Sequence, residues 1–73
     1  MAQVELLSDV TGSVWKILVE VGASVDAEEP ILLIESMKME IPLISEKAGR
    51  IAKILVAEGE PVTEGQVLAI IDI

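Results

Sequence analysis

The residues with the most distinctive chemistry stand together in one short run, Glu35-Ser36-Met37-Lys38-Met39-Glu40. Lys38 offers a primary amine between two thioethers, and a carboxylate stands at each end of the run. The chain has no cysteine and no histidine, which excludes disulfides, thiolate chemistry and the commonest general base and metal ligand. Two kinds of chemistry remain for this run: covalent attachment at the amine, or acid–base work by the carboxylates.

The composition is that of one small globular domain with a β core. The chain has 73 residues, and 52% of them are apolar. These apolar residues are mostly Val, Ile, Leu and Ala, which suit a compact β core, and Trp15 is the only aromatic residue. A domain of this length buries about 60% of the surface that its unfolded chain exposes, so its core is modest. We expect residues 1–73 to form a single domain.

The charge balance excludes several classes of partner. Thirteen acidic residues stand against five basic ones, which gives a net charge of −8. Nucleic-acid binding depends on cationic contacts to phosphates, and anionic membranes also repel such a chain. The acids either keep a small apolar protein in solution or help to dock a basic partner surface. The first residues lack the basic and apolar segments of a signal peptide, and we expect a cytoplasmic protein.

The two halves of the sequence repeat each other at a shift of 37 positions. The run Lys16-Ile17-Leu18-Val19 falls on Lys53-Ile54-Leu55-Val56, and identical residues also lie on both sides of it. These are Gly12 with Gly49, Gly22 with Gly59, Val25 with Val62, and Ile34 with Ile71. Two copies of one β unit, related by an approximate twofold axis, explain this pattern.

Each half consists of strand-like segments separated by turns. The segments are 12–19 and 30–34 in the first half, and 49–56 and 67–71 in the second. Gly22 and Gly59 mark turns between them. Val14 and Val19 are an odd number of positions apart, so a strand that buries both needs a β-bulge or a passage between two sheets. The pattern therefore predicts an all-β fold, a flattened barrel or sandwich.

The repeat also predicts where Lys38 lies. A shift of 37 positions from Lys38 leads to the two ends of the chain, so the twofold axis relates its segment to the termini. Chain ends of small domains usually lie at the surface, and we expect Lys38 to be exposed at the opposite pole. A tight hairpin there favours Gly, Asn or Asp, because its central residues often have positive φ. Methionine and lysine do not follow that rule, which indicates a function. The alternative is that Met37 and Met39 are core fillers.

The run Glu35-Ser36-Met37-Lys38-Met39 resembles the biotin-acceptor signature of biotinyl domains, Ala-Met-Lys-Met, in which serine is a common first residue. The resemblance covers essentially the whole chain, including the turns at Gly22 and Gly59. It implies an eight-stranded flattened barrel or sandwich of two four-stranded antiparallel sheets, with the acceptor lysine at a hairpin tip. Glu28 stands where many relatives have glycine. The two halves match without a gap from Val19 to Gly22 and from Val56 to Gly59, so the protruding thumb of some bacterial carriers is not expected. The chain resembles a minimal carrier, either stand-alone or excised from a longer protein.

The resemblance further implies a carrier rather than an enzyme. Biotin protein ligase would join biotin to Lys38 as an amide, and Met37 and Met39 would serve recognition. Glu35, Ser36 and Glu40 would flank the attachment site. The carrier would shuttle carboxybiotin between the biotin carboxylase and carboxyltransferase components of a biotin-dependent carboxylase. It would be a monomer as an isolated domain, without catalytic residues or a metal.

Two other functions stay open at this point. A lipoyl carrier shares the fold, although lipoyl domains typically have Asp-Lys-Ala at the tip instead of Met37-Lys38-Met39. An unmodified adaptor of the same fold would use the tip only to bind a partner. Trp15 has Ala52 as its repeat equivalent, and we expect it to pack in a partly buried position rather than to stack on a cofactor.

Overall fold

The computed structural model describes residues 2–73, and the regular structure in this part of the chain consists of strands. The strands are β1 (Gln3–Leu7), β2 (Gly12–Ile17), β3 (Ser24–Val25), β4 (Pro30–Ser36), β5 (Met39–Ile44), β6 (Gly49–Ile54), β7 (Pro61–Val62) and β8 (Val67–Asp72). They form two antiparallel sheets, with the strand orders β1-β8-β6-β3 and β5-β4-β2-β7. The all-β prediction is confirmed. Residues 2–73 contain no helix with the length and apolar character needed to cross a membrane.

The two sheets are equivalent under the shift of 37 positions. The shift carries β1 onto β5, β2 onto β6, β3 onto β7 and β4 onto β8, and it carries one strand order onto the other. Two more identical pairs occupy equivalent places, Leu6 with Leu43 and Ser8 with Ser45. Each serine is buried, and its Oγ donates a hydrogen bond to the carbonyl oxygen two residues further on, at 2.6 and 2.7 Å. The repeat is therefore present in the structure as well as in the sequence.

Equivalent β-bulges in β2 and β6 keep the apolar side chains of these strands on the inner face. The register of β2 against β4 shifts between Val14 and Lys16, so Trp15 is an extra residue. The register of β6 against β8 shifts at the equivalent place, around Ala52. The bulge that the spacing of apolar residues predicted is present in both halves.

The predicted strand 12–19 is too long, because β2 ends at Ile17. The chain then crosses to the other sheet, where the Gly22 N–H donates to the Ile51 carbonyl oxygen at 2.8 Å. Val19 lies in this crossing and still packs against the core. A bulge and a passage between sheets thus occur one after the other, and the second half repeats the arrangement after Ile54.

The core lies between the two sheets and comes mainly from their inner strands. Its largest fully buried side chains are Val14, Ile31, Leu32, Ile34, Ile51, Leu68 and Ile71. The strands β1, β3, β5 and β7 remain sheet edges, so the fold is a sandwich and not a closed barrel. The connection 18–23 is as long as its equivalent 55–60, and neither carries an inserted thumb.

Candidate functional site

The hairpin between β4 and β5 reverses the chain within two residues. Ser36 pairs with Met39, and Met37 and Lys38 form the loop between them. Their φ angles are 52° and 64°, which places both in the left-handed region. Two central residues with positive φ define a type I′ turn, the geometry that favours Asn-Gly. The expected conflict between turn geometry and residue type is therefore present.

All three residues of the Met-Lys-Met run are exposed. Met37 has 92% of its surface accessible and Met39 has 63%, and Lys38 is also exposed. The alternative that the methionines fill the core is therefore wrong. An amine and two thioethers project from the tip without cover from the rest of the chain, which is the arrangement that a modifying enzyme needs.

The base of the hairpin is held firmly, although its tip is exposed. The half-buried Ser36 donates from Oγ to the Thr11 carbonyl oxygen at 2.9 Å. Gly12 lies so close to the hairpin that a Cβ at that position would collide with the carbonyl oxygen of Glu35. Ser13 pairs directly with Glu35. The segment 11–13 thus fixes the direction in which Lys38 points.

Glu35 and Glu40 lie directly opposite each other on β4 and β5, one residue pair below the turn. Both side chains are exposed. Their neighbours Ile34 and Ile41 face inward, so the two carboxylates lie on the outer face of the sheet. Residues 2–73 hold no cluster of His, Cys, Asp or Glu that could bind a metal ion.

The termini lie at the pole opposite the hairpin tip. Ala2 and Ile73 exchange backbone hydrogen bonds of 3.3 and 2.9 Å, and they are the twofold equivalents of Met39 and Ser36. The domain measures 35 × 19 × 17 Å. The sequence repeat alone predicted that Lys38 lies at the pole opposite the termini.

Concave surfaces lie away from Lys38. A groove of about 520 Å³ runs between β1 and β5, lined by residues 4–7 and 9 and by residues 42–47. A second groove lies at the terminal pole, around Arg50 and Asp72. Neither of these grooves includes a residue of the hairpin tip.

Three residues near the tip were not predicted from the sequence as part of the site. Thr11 accepts the hydrogen bond from Ser36, and its Oγ1 accepts another from the Glu64 N–H at 3.1 Å. Gly12 could have been noticed, because its repeat equivalent is also glycine; Glu64 gave no such signal. Trp15 lies at the bulge with 48% of its surface exposed, so it packs only in part.

Comparisons with known proteins agree with this geometry. The biotin/lipoyl family, whose model is described as "Biotin-requiring enzyme", matches residues 4–71. The chain is 36% identical over 59 residues to the Biotin/lipoyl attachment protein of Bacillus subtilis (strain 168), with 81% of each chain covered. It is 37% identical over 54 residues to the Biotin carboxyl carrier protein of Streptococcus mutans, covering 74% of this chain and 42% of that protein.

Solved structures contain the same domain within a much larger chain. In the crystal structure of the Kluyveromyces lactis urea carboxylase, a region superposes with a TM-score of 0.93 at 35% identity. The match covers 99% of this chain and 6% of that one. The chain therefore belongs to the biotin/lipoyl attachment family, as a biotinyl domain of the kind found in carboxylases.

Proposed function

We propose that this domain carries biotin on Lys38 and moves it between the active sites of a biotin-dependent carboxylase. The observation that supports this most directly is the exposed I′ turn, in which Met37 and Met39 flank the amine of Lys38 at one pole of the domain. The local strain of this turn serves no packing purpose. It keeps an acceptor amine and two apolar recognition side chains accessible at a fixed place.

Attachment requires a partner enzyme, because amide formation needs an activated acyl group and a base that accepts the proton lost by the amine. Biotin protein ligase would bring biotin as its adenylate, and the Lys38 nitrogen would attack the acyl carbon and lose a proton to a base of the ligase. An amide bond forms and AMP leaves. The chain's own contribution is positional: Ser36 and Gly12 hold the base of the hairpin, so that Lys38 projects outward.

Once attached, biotin supplies the chemistry of carboxyl transfer, and the residues of this chain do no bond chemistry. A biotin carboxylase site would load the group, and a carboxyltransferase site would unload it. Tethering raises the concentration of the group to about the millimolar range at any site the arm can reach. Because Ala2 and Ile73 pair at the pole opposite the hairpin tip, a linker joined at either terminus would not cover Lys38.

Biotin is favoured over lipoate by the tip itself. Met37-Lys38-Met39 matches the biotin-acceptor signature and lacks the Asp-Lys-Ala of typical lipoyl tips. The carboxylase relatives support the same choice. If the domain were an unmodified adaptor, its function would not account for the strained backbone at Met37 and Lys38.

The decisive experiment is an intact-mass measurement after incubation with biotin protein ligase, ATP and biotin. We expect a gain of one biotinyl group, and no gain in Lys38→Arg. Lys16→Arg and Lys53→Arg are matched controls on β2 and β6, and both should gain the group like the wild type. A parallel reaction with lipoate ligase and lipoate tests the rival. An unmodified wild type beside an active ligase, or a lipoyl gain alone, would overturn the proposal.

A further inference from the structure

The sulfur atoms of this chain are concentrated on both sides of Lys38. Two of its three methionines, Met37 and Met39, flank the lysine, and the chain has no cysteine. Met37 is almost fully exposed, and most of the Met39 surface is exposed as well. We call Met37 and Met39 the thioether pair.

The backbone keeps the thioether pair in solvent. Met37 has a left-handed φ of 52° in the two-residue loop, and Met39 pairs with Ser36 at the base of that loop. The Ser36 hydroxyl donates to the Thr11 carbonyl oxygen at 2.9 Å, which holds the strand below the turn in place. Neither methionine belongs to the core or to the partly buried residues that pack against it. A change in the polarity of these two side chains therefore breaks no buried contact.

Exposed thioethers react with hydroperoxides. The sulfur lone pair attacks one oxygen of the peroxide, the O–O bond breaks, and a sulfoxide and water form, so that sulfur is oxidised and the peroxide is reduced. The product is polar and chiral, whereas the thioether is apolar and flexible. Methionine sulfoxide reductases A and B, one for each epimer, reverse the step: two thiols become a disulfide, and the oxygen leaves as water. Because this chain has no thiol, the electrons must come from such a reductase.

We propose that the thioether pair is a reversible oxidation site, at which a hydroperoxide converts Lys38 from a good acceptor of biotin into a poor one. The control of attachment rests on the proposed function. A partner that receives the Lys38 side chain must cover the side chains on both sides of it, and these are apolar only while they are reduced. A sulfoxide oxygen buried without a hydrogen-bond donor costs free energy that a buried thioether does not. The fold is the same in both states, because the pair lies outside the core.

The test treats the purified domain with hydrogen peroxide, removes the excess with catalase, and then measures kcat/KM for biotin attachment by purified biotin protein ligase. Peptide mass mapping should show one added oxygen on Met37 and one on Met39. We expect kcat/KM to fall at least about fivefold, and reductases A and B together to restore it. The free energy of unfolding in urea should not change. The double variant Met37→Gln, Met39→Gln carries polar side chains of similar length, so it should be slow before treatment and respond neither to peroxide nor to the reductases.

The matched control is Met37→Leu, Met39→Leu, which keeps Met1 and Trp15, the other oxidisable residues of the chain. Whatever rate this variant has before treatment, peroxide should leave that rate unchanged. An equal loss in the control would assign the effect to residues outside the thioether pair and overturn the proposal. Full oxidation of the pair with an unchanged wild-type rate, or a lost rate that the two reductases do not restore, would overturn it as well.

The two proposals can fail separately. The untreated wild type decides whether Lys38 accepts biotin, and the ratio of the treated to the untreated rate decides whether oxidation controls attachment. If the wild type is biotinylated on Lys38 at the same rate before and after oxidation of the thioether pair, only the control by oxidation is refuted. If the untreated wild type is never biotinylated, both proposals fall together.

Discussion

Glu28 adopts a left-handed backbone conformation, φ 65°, at the position that the twofold axis relates to Gly65, φ 87°. The N–H groups of both residues donate to equivalent serines, Glu28 to the Ser45 carbonyl oxygen at 2.7 Å and Gly65 to that of Ser8 at 2.8 Å. One turn geometry is thus built once with glycine and once with a residue that has a side chain. A non-glycine residue in this region is strained by about 1–3 kcal/mol.

Glu28→Gly should therefore stabilise the domain, by about 1 kcal/mol once the extra freedom of glycine in the unfolded chain is subtracted. The measurement is the free energy of unfolding in urea. Gly65→Glu is the reciprocal control and should destabilise the domain by at least as much. A Glu28→Gly variant that is less stable than the wild type would show that the glutamate side chain offsets the strain.

The turn at Met37 and Lys38 should show the same strain, which the proposed attachment of biotin to Lys38 would retain. The double variant Met37→Asn, Lys38→Gly supplies the residues that a type I′ turn favours. We expect it to be more stable by about 1–2 kcal/mol in urea unfolding and to accept no biotin. Lys38→Arg separates the two effects, because it should lose the modification without gaining stability. A double variant with unchanged stability would argue against strain at the tip.

The exposed methionines should matter to partners and not to folding. Met37→Leu and Met39→Leu should each change the free energy of unfolding by less than about 0.5 kcal/mol, since neither side chain packs in the core. Leu68→Ala, in the fully buried core, should cost about 2–5 kcal/mol in the same assay. Large destabilisation by either methionine substitution would place that side chain in the core after all.

Gly12 and Gly49 allow stability and function to be separated. A Cβ at Gly12 would collide with the carbonyl oxygen of Glu35, and a Cβ at Gly49 with that of Asp72. Gly12→Ala and Gly49→Ala should therefore destabilise the domain to a similar extent, by about 1–3 kcal/mol. Only the first displaces the base of the Lys38 hairpin.

Biotinylation kinetics of these two variants, measured under conditions in which both are folded, give the functional readout. Gly12→Ala should be modified more slowly than Gly49→Ala, because Lys38 no longer points in its native direction. Equal rates would mean that the ligase tolerates any orientation of the tip.

Local sequence patterns were sufficient to predict the architecture and the position of Lys38. The repeat of Lys16–Val19 in Lys53–Val56 specifies two equivalent halves, because side chains that alternate between inside and outside restrict each strand to one register. The same repeat assigns Lys38 to the pole opposite the chain ends. Both conclusions use only residue types and spacing along the chain, and the structure agrees with both.

Only the tertiary structure showed the features that depend on contacts between residues far apart in the sequence. The end of β2 at Ile17 follows from the crossing to Ile51, and the contact between Gly12 and Glu35 depends on the pairing of β2 with β4. Glu64 reaches the Lys38 pole through a hydrogen bond to Thr11, 53 positions away.

The physical reason is that the two kinds of feature depend on different separations along the chain. Strand periodicity and turn preference depend on a few neighbouring residues, so they can be recognised directly in the sequence. The neighbours of the Lys38 hairpin come together only when two distant segments pair and pack. Lys38 and its flanking residues could therefore be identified from the sequence, whereas the packing of Thr11 and Gly12 against the base of the hairpin required the fold.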